Sequence, residues 1–213
     1  MTSFDPTADY AAIREGVAKV CADYPGAYWR DLDARRAYPR EFVNALIHEG
    51  YLAAMIPEEY GGSGLNLTAS AVILEEIHRN GCNAAACHAQ MYTMGTVLRH
   101  GNEEQKRRWL PAIADGSVRL QAFGVTEPTS GTDTLALKTT ARREGDEYVI
   151  NGQKIWTSRA EHSDLMVLLA RTTPRDQAKS RTDGLSVFLV DLREHVGKGI
   201  TIRPIRAMIN HAT

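Results

Sequence analysis

The feature that most constrains this fold is a change in the spacing of apolar residues near Val118. Before Val118 they recur every three or four positions, as on one face of a helix. After it they alternate or form short β-branched runs. Helical patterns followed by strand patterns predict an α+β fold with two parts. We place an all-α helical domain at residues 1–117 and a β domain at residues 118–213.

The helical half contains five segments with helical spacing and recognisable ends. Pro39 stands at a helix start, Thr68 is predicted to cap the third helix, and Asn102 with Gln105 has the spacing of a capping box. Because Pro25 and Gly26 should end the first helix, the residues up to Pro39 are interpreted as a charged connector. The predicted helices cover residues 7–24, 39–49, 68–79, 83–99 and 102–114.

The second half is rich in β-branched residues, and its predicted turns, at residues 144–146, 151–152 and 197–199, contain glycine. The Asn151-Gly152 pair between two such runs is the strongest short hairpin signal in the chain. We predict an antiparallel β-barrel, with a sandwich as the other arrangement, because closing the sheet would hide its edges. The predicted strands cover residues 118–124, 137–142, 147–150, 154–158, 165–171, 185–190 and 200–205.

Composition excludes several classes of partner. The formal net charge is -1 over 213 residues, with no basic stripe, so neither nucleic acid nor an anionic membrane is expected. No apolar run is long enough to span a bilayer, and the N-terminal residues lack the pattern of a secretory signal, so we predict a cytoplasmic protein. The three cysteines match no zinc or haem spacing, and no metal site is predicted.

Two segments carry residue types suited to a cofactor. Residues 123–133, FGVTEPTSGTD, offer hydroxyls and accessible backbone N–H groups, which can hold a heterocycle and its phosphates. Trp156-Thr157-Ser158 places a large aromatic ring beside two hydroxyls. Judged by residue chemistry alone, the first is also typical of a turn and the second of a buried tryptophan with small neighbours.

Taken together, the two segments resemble the flavin-binding segments of the acyl-CoA dehydrogenases, with a Thr-Glu-Pro-x-x-Gly-Ser-Asp-like run followed by Trp-x-Thr/Ser. Thr132 stands where the family usually has Ser, and Ser158 where it often has Thr; both keep the hydroxyl. The Pro-Glu-x-x-Gly-Gly segment at residues 57–62 is similar as well. The resemblance covers essentially the whole chain. It implies that a family member would continue beyond Thr213 with the last strand and a four-helix domain absent from this chain.

The resemblance also implies a set of site residues around FAD. The flavin contacts are Phe123, Val125, Thr126, Gly131, Thr132, Trp156, Thr157 and Ser158. Thr132 is also expected near the CoA pantetheine, and the candidate walls of the acyl channel are His88, Met91, Tyr92 and Gly95, for which plain interior packing is equally expected. Glu127 and Asp133 are expected to brace the loop. The catalytic base is a Glu of the missing domain in this family, so no residue here is assigned that role.

The activity implied is α,β-dehydrogenation of an acyl-CoA thioester in fatty acid metabolism, with hydride transfer to flavin N5. The implied partners are an electron-transfer flavoprotein and further copies of the chain, as a dimer or homotetramer. Two alternatives stay open: a flavin-dependent monooxygenase or nitroalkane oxidase-like enzyme of the same fold, and a truncated, non-catalytic protein. Neither acyl chain length nor branching follows from the sequence.

Overall fold

The protein folds into two compact units. The computed structural model describes residues 10–209. One unit ends at Gln121 and also takes in the chain from Pro204 onward, and the other comprises Ala122–Arg203. We call them the helical unit and the β unit. The predicted start of the first helix at Thr7 and the chain's last four residues lie outside the described range.

Six helices build the described part of the helical unit, one more than the sequence predicted. The additional helix is α2, which occupies the supposed connector. It was missed because four of its ten residues are charged and only Trp29 and Leu32 are buried, so its apolar face is narrow. The helices are α1 (Ala11–Ala22), α2 (Gly26–Arg35), α3 (Arg40–His48), α4 (Leu67–Arg79), α5 (Ala85–His100) and α6 (Glu103–Ala114).

An aromatic cluster joins α2 to the start of α3. Trp29 and Phe42 are buried and pack edge to face, with ring centroids 5.0 Å apart. Tyr24 packs in the same manner against Tyr28 at 5.0 Å and against Phe42 at 5.1 Å. Each such pair contributes about 0.5–1.5 kcal/mol beyond the burial of apolar area. These contacts anchor a helix whose own sequence is mostly polar.

Helix caps follow the local sequence in one case and depart from the prediction in another. The capping box of α6 is confirmed, since Asn102 Oδ1 accepts the Gln105 N–H and Gln105 Oε1 accepts the Asn102 N–H. The predicted cap of α4 at Thr68 is wrong. Asn66 caps this helix instead, and its Oδ1 accepts the Ala69 N–H at 2.8 Å. Asparagine is the stronger cap, so the cap lies two residues before the predicted one and the helix begins at Leu67.

The β unit is built on a five-stranded sheet with the order β1-β4-β2-β3, in which β5 also pairs with β4. The β4–β5 ladder is antiparallel and joins Leu165 with Asp191 at one end and Arg171 with Leu185 at the other. β2 and β4 are parallel and pair at Thr140 and Arg171. The strands are β1 (Leu120–Gly124), β2 (Thr140–Glu144), β3 (Glu147–Asn151), β4 (Leu165–Arg171) and β5 (Leu185–Asp191), followed by the short helix α7 (Leu192–His195).

The predicted antiparallel β-barrel is therefore wrong in two respects, because the sheet is mixed and is not closed into a barrel. Two of the predicted strands do not form. Residues 154–158 contain no regular strand, and residues 200–205 contribute only an isolated bridge between Val196 and Ile200. Without these two strands, nothing in the described part of the sheet joins β3 to a second neighbour.

The predicted hairpin at Asn151-Gly152 is also wrong. The other predicted turn, at residues 144–146, is confirmed: it joins β2 to β3, Gly145 has a φ of 62° that suits the left-handed region, and Glu144 pairs with Glu147. Gly152 serves close packing instead, since a Cβ on it would lie 2.3 Å from Thr139 Oγ1. Glycine is therefore needed at position 152 because another segment packs closely against it, and not because the chain turns there.

Candidate functional site

Two segments that are far apart in the sequence lie side by side in the β unit. Residues 123–133, which comprise the end of β1 and the loop after it, are called the glycine loop, and residues 154–158 are called the tryptophan segment. The Ile155 N–H donates to the Thr126 carbonyl oxygen at 2.9 Å, and Lys154 Nζ donates to the Val125 carbonyl oxygen at 3.0 Å. The tryptophan segment therefore pairs with the glycine loop rather than forming a hairpin with β3.

A buried carboxylate organises the glycine loop. Glu127 is 5% exposed and accepts hydrogen bonds from the backbone N–H groups of Lys138 and Thr139, at 2.6 and 2.8 Å. It also accepts from Thr139 Oγ1 at 2.5 Å and from Lys154 Nζ at 2.9 Å. Burial by itself raises the pKa of Glu127, but the hydrogen bonds from Lys154, Thr139 and Lys138 outweigh it and lower the pKa to about 2. The side chain is thus a permanent anion that holds three parts of the chain together.

The tip of the glycine loop exposes the residues expected at the flavin pyrophosphate. Glu127 and Ser130 exchange backbone hydrogen bonds of 2.9 and 3.2 Å, and Ser130 Oγ donates to the Asp133 carbonyl oxygen at 2.6 Å. Gly131 and Thr132 are exposed, and no atom of the described residues lies within 4 Å of a Cβ built on Gly131. Hydrogen bonds within the loop therefore fix the backbone at the tip, while Gly131 and Thr132 remain exposed.

The tryptophan segment holds its aromatic ring in an unusual backbone conformation. Trp156 has a φ of 62°, and its side chain is 65% exposed. The Ser158 N–H donates to the Trp156 carbonyl oxygen at 2.9 Å, and Arg159 also has a positive φ, of 61°. A bulky residue in the left-handed region costs about 1–3 kcal/mol and persists only where its surroundings enforce it. Strain that presents a large apolar ring to solvent is typical of a ligand site.

Thr157 supplies the clearest test of whether a flavin fits. Its Oγ1 is buried and has no hydrogen-bond partner among residues 10–209. A buried hydroxyl left unpaired costs about 1–3 kcal/mol, so such a group needs an explanation. A ring with polar atoms along its edge would supply the partner, and the adjacent exposed indole of Trp156 would cover its face. The residues present therefore fit a polar heterocycle such as the isoalloxazine of FAD.

Three of the four predicted acyl-wall residues share one face of α5, at positions separated by four and three residues. His88 and Tyr92 pack edge to face with ring centroids 5.1 Å apart, and Tyr92 is 38% exposed. Gly95 follows on the same face, and among residues 10–209 no atom lies within 4 Å of a Cβ built on it. Met91 lies elsewhere, since it is 4% exposed and packs into the core of the helical unit.

Sequence analysis missed the importance of Lys154 and Arg171. Lys154 is the buried counter-charge of Glu127, and Arg171 Nη2 donates to the Leu135 carbonyl oxygen at 2.8 Å, just beyond the glycine loop. The only indication in the sequence was that a buried acidic side chain in a cofactor loop needs a basic side chain buried beside it. Within residues 10–209, no group of three or more His, Cys, Asp or Glu side chains could hold a metal ion. In the same range, no helix has the length and apolar content to cross a membrane.

Comparison with known proteins agrees with both halves of the chain. The family description "Acyl-CoA dehydrogenase, N-terminal domain" matches residues 7–117, and "Acyl-CoA dehydrogenase, middle domain" matches residues 122–212. Acyl-CoA dehydrogenase FadE12 of Mycobacterium tuberculosis is 32% identical over 181 residues, which cover 84% of this chain and 46% of that protein. Cyclohex-1-ene-1-carbonyl-CoA dehydrogenase of Syntrophus aciditrophicus is 35% identical over 162 residues, or 76% of this chain and 38% of that protein.

Among solved structures, the glutaryl-coenzyme A dehydrogenase complex with glutaryl-CoA superposes with a TM-score of 0.84 and 26% identity. The match covers 99% of this chain and 53% of that one. The chain thus spans about half the length of the relatives it matches, with 46% and 53% as examples. On the two domain matches and the shared fold, the chain belongs to the acyl-CoA dehydrogenase family.

Proposed function

We propose that this chain forms the flavin-contacting part of an FAD-dependent acyl-CoA dehydrogenase. Two neighbouring features carry the proposal. Thr157 Oγ1 is a buried hydroxyl without a hydrogen-bond partner among the described residues, and next to it the exposed ring of Trp156 stands on a strained backbone. Hydrogen bonds to the Val125 and Thr126 carbonyls fix this segment against the glycine loop. A site built in advance in this way lowers the entropy cost of holding a cofactor.

The proposed roles follow the position of each side chain. The bound FAD would supply hydride acceptance at its flavin N5. Trp156 would cover one face of the ring system, while Thr157 and Ser158 hydrogen-bond its polar edge. Phe123, Val125 and Thr126 would line the same ring from the glycine loop, and Gly131 with Thr132 would receive the pyrophosphate through accessible backbone N–H groups. The buried Glu127–Lys154 ion pair positions both segments.

The proposed substrate is an acyl-CoA thioester, with the face formed by His88, Tyr92 and Gly95 as part of the acyl wall and Thr132 near the pantetheine. Glu127 is unsuited to remove the α-proton. Its oxygens already accept four hydrogen bonds, and a pKa of about 2 makes it a weak base. We therefore assign the base to no described residue. The proposal further includes transfer of electrons to an electron-transfer flavoprotein by a cytoplasmic homo-oligomer.

The test is an absorption spectrum of the purified protein in the flavin bands, followed by anaerobic titration with straight-chain, branched and ring-bearing acyl-CoA thioesters. Bound flavin that one thioester bleaches supports the dehydrogenase. A flavin that no thioester reduces, and that turns over with oxygen after chemical reduction, would favour the oxygen-using relatives. Absence of any flavin binding would overturn the proposed site.

A matched pair of variants ties the spectrum to the site. Thr157→Val removes the orphaned hydroxyl with little change in shape, whereas Thr201→Val makes the same change at an exposed position of the β unit. We expect Thr157→Val to weaken flavin binding about 5- to 10-fold, equivalent to one hydrogen bond of about 1 kcal/mol, while Thr201→Val leaves it unchanged. Equal affinity in both variants would remove Thr157 from the site.

A further inference from the structure

A short segment of the β unit lies between two buried side chains of opposite charge. It comprises residues 134–140, directly after the glycine loop, and is called the clamped segment. Near its end, the Thr139 N–H donates to the Glu127 carboxylate at 2.8 Å. Near its start, the Leu135 carbonyl oxygen accepts a hydrogen bond from Arg171 Nη2 at 2.8 Å. The clamped segment is therefore bonded to a buried anion and to a buried cation.

Arg171 reaches the clamped segment from the end of β4. It is the last residue of that strand, and it pairs with Thr140 in β2 and with Leu185 in β5. Its backbone N–H donates to the Thr139 carbonyl oxygen at 2.8 Å. Thr139 thus binds both charged residues, Glu127 through its N–H and Arg171 through its carbonyl oxygen. Because backbone and side chain of Arg171 are both bonded here, the position of its guanidinium is fixed.

The two buried charges differ in how they are balanced. Glu127 has Lys154 as its counter-charge, with Nζ 2.9 Å from Oε1. Arg171 is 7% exposed, and among residues 10–209 it forms no ion pair and its buried Nη1 has no hydrogen-bond partner. Burying a charge is costly unless the charge is paired. One positive charge beside the clamped segment is therefore uncompensated within the described part of the chain.

The charged side chains at the nearby surface do not remove this excess. Asp133, the last residue of the glycine loop, pairs with Arg181, whose Nη2 lies 3.3 Å from Oδ1. Lys138, in the clamped segment, is exposed and adds a further positive charge. The sequence has no acidic residue between Asp133 and Glu144. The end of the glycine loop and the clamped segment therefore carry a net positive charge.

The tip of the glycine loop is the accessible place where an anion would meet this charge. Gly131 and Thr132 are exposed there, as described above. Leu135 lies four positions after Gly131, so their backbones are at most about 14 Å apart. A turn of 3₁₀ helix between them shortens that distance. At low ionic strength the Debye length exceeds it, so the charge of Arg171 acts at the tip.

We propose that Arg171 makes the tip of the glycine loop a site for a phosphoryl anion, by supplying positive charge from within the fold without touching the ligand. The inference rests on the proposed function, which puts a pyrophosphate at Gly131 and Thr132, and it adds the residue that attracts the anion. Arg171 is thus a positioning residue and not a catalytic one. Two sources can supply the phosphoryl group, namely the pyrophosphate of FAD and the phosphates of coenzyme A, and the test separates them.

The test measures binding to the flavin-free protein of two pairs of probes, FAD with riboflavin and coenzyme A with pantetheine. Only the first member of each pair carries phosphate. Arg171→Met keeps the length of the side chain and removes its charge, whereas Arg171→Lys keeps the charge. Arg175→Met is the matched control, because it removes the same charge from an exposed position of the β unit.

The expected effect follows from Coulomb's law. At a distance of about 14 Å and an effective dielectric constant of about 20, one charge changes affinity about 5- to 10-fold per unit charge of the ligand. Arg171→Met should therefore weaken binding of FAD, of coenzyme A or of both about 5- to 10-fold at low salt, and by less at high salt. Riboflavin and pantetheine should bind as they do to the natural protein. Arg171→Lys and Arg175→Met should retain nearly natural affinity for all the probes.

The pattern of loss identifies the source of the anion. A loss confined to FAD assigns the site to the flavin pyrophosphate, and a loss confined to coenzyme A assigns it to the substrate. Equal losses for FAD and riboflavin, or no rescue by Arg171→Lys, would mean that Arg171 only maintains the shape of the loop and would overturn the inference. Unchanged affinity of Arg171→Met for every probe would overturn it too, while flavin binding by the natural protein would leave the proposed function standing.

A measurement on the natural protein covers the case in which Arg171→Met fails to fold. Added potassium chloride should weaken binding of a phosphate-bearing probe more than binding of its phosphate-free counterpart. Equal salt dependence within both pairs would overturn the inference. Natural protein that binds none of the probes would overturn the proposed function together with it.

Discussion

The buried carboxylate of Glu127 offers the sharpest test of how the site is built. Glu127→Gln keeps the size of the side chain but removes its charge and one acceptor oxygen. Lys154, whose side chain is 9% exposed, would then be a buried cation without a counter-charge. The new amide would also direct an N–H₂ group at donors contributed by Lys138 and Thr139. The variant therefore breaks an ion pair and creates a clash of donors.

The magnitude follows from the structure in two ways. Lowering the pKa of Glu127 from 4.5 to about 2 corresponds to about 3 kcal/mol of stabilisation of the folded state near neutral pH. Removing one partner of a buried ion pair costs about 3–5 kcal/mol in other proteins, because the second charge stays buried. We therefore expect Glu127→Gln to destabilise the β unit by about 3 kcal/mol, a large part of the stability of a typical domain.

The assay is hydrogen exchange of the full protein, read on peptides that contain the Lys138 and Thr139 amides. These amides donate to Glu127, so they report opening of the glycine loop directly. A loss of about 3 kcal/mol would raise their exchange about a hundredfold. Glu147→Gln is the matched control, since Glu147 is exposed on β3 and should change stability by less than about 0.5 kcal/mol.

The double variant Glu127→Gln with Lys154→Met decides the cause. If an unpaired buried lysine is what costs stability, removing it should restore part of the loss. Equal exchange in Glu127→Gln and Glu147→Gln would refute the reasoning. A double variant no more stable than Glu127→Gln alone would refute the electrostatic explanation and leave only the lost hydrogen bonds.

Acid should act on the same group, and the sign follows from linkage. The pKa of Glu127 is lower in the folded state, so its contribution is complete above about pH 4.5, the unfolded value. It declines as the pH falls toward about 2, where the folded carboxylate takes up a proton. The difference in unfolding free energy between the natural protein and Glu127→Gln should therefore shrink from pH 5 to pH 2. A constant difference across that range would contradict the assignment.

Three further predictions concern single positions. Thr157→Val should weaken flavin binding by about 1 kcal/mol, yet leave the thermal stability of the flavin-free protein equal or slightly higher, because its hydroxyl has no partner in the described part of the chain. Asn102→Ala should destabilise the helical unit by about 1 kcal/mol in denaturant unfolding, since it removes half of the α6 capping box; no loss would mean that the cap is not formed in solution. Arg36→Gly should stabilise the protein by up to about 1 kcal/mol in the same assay, because Arg36 ends α2 with a φ of 53°, where glycine avoids the Cβ penalty.

Much of the architecture could be read from local patterns. The change of period near Val118, the α6 capping box and the β4 strand at residues 165–171 depend on neighbouring residues only, and the structure has all three. Patterns of the same kind failed at α2 and Asn66. There, a narrow apolar face and a competing cap residue left weak signals.

The candidate site was likewise predictable from the sequence only in part. The sequence alone determined which segments contain residue types suited to a cofactor, because the order of Thr, Ser, Gly and Trp can be recognised without a structure. Only the tertiary structure decided how they meet. The hydrogen bond from Ile155 to Thr126 and the ion pair between Lys154 and Glu127 join residues 27 or more positions apart.

The sheet gives the same lesson. The parallel pairing of β2 with β4 is non-local, and the periodicity of one strand does not encode which strand it pairs with. What a sequence determines by itself are propensities within one turn or one strand, where each residue's own backbone preferences dominate. Which strands pair, and which buried groups find each other, is decided by the whole core, because only joint burial offsets the entropy of bringing distant segments together.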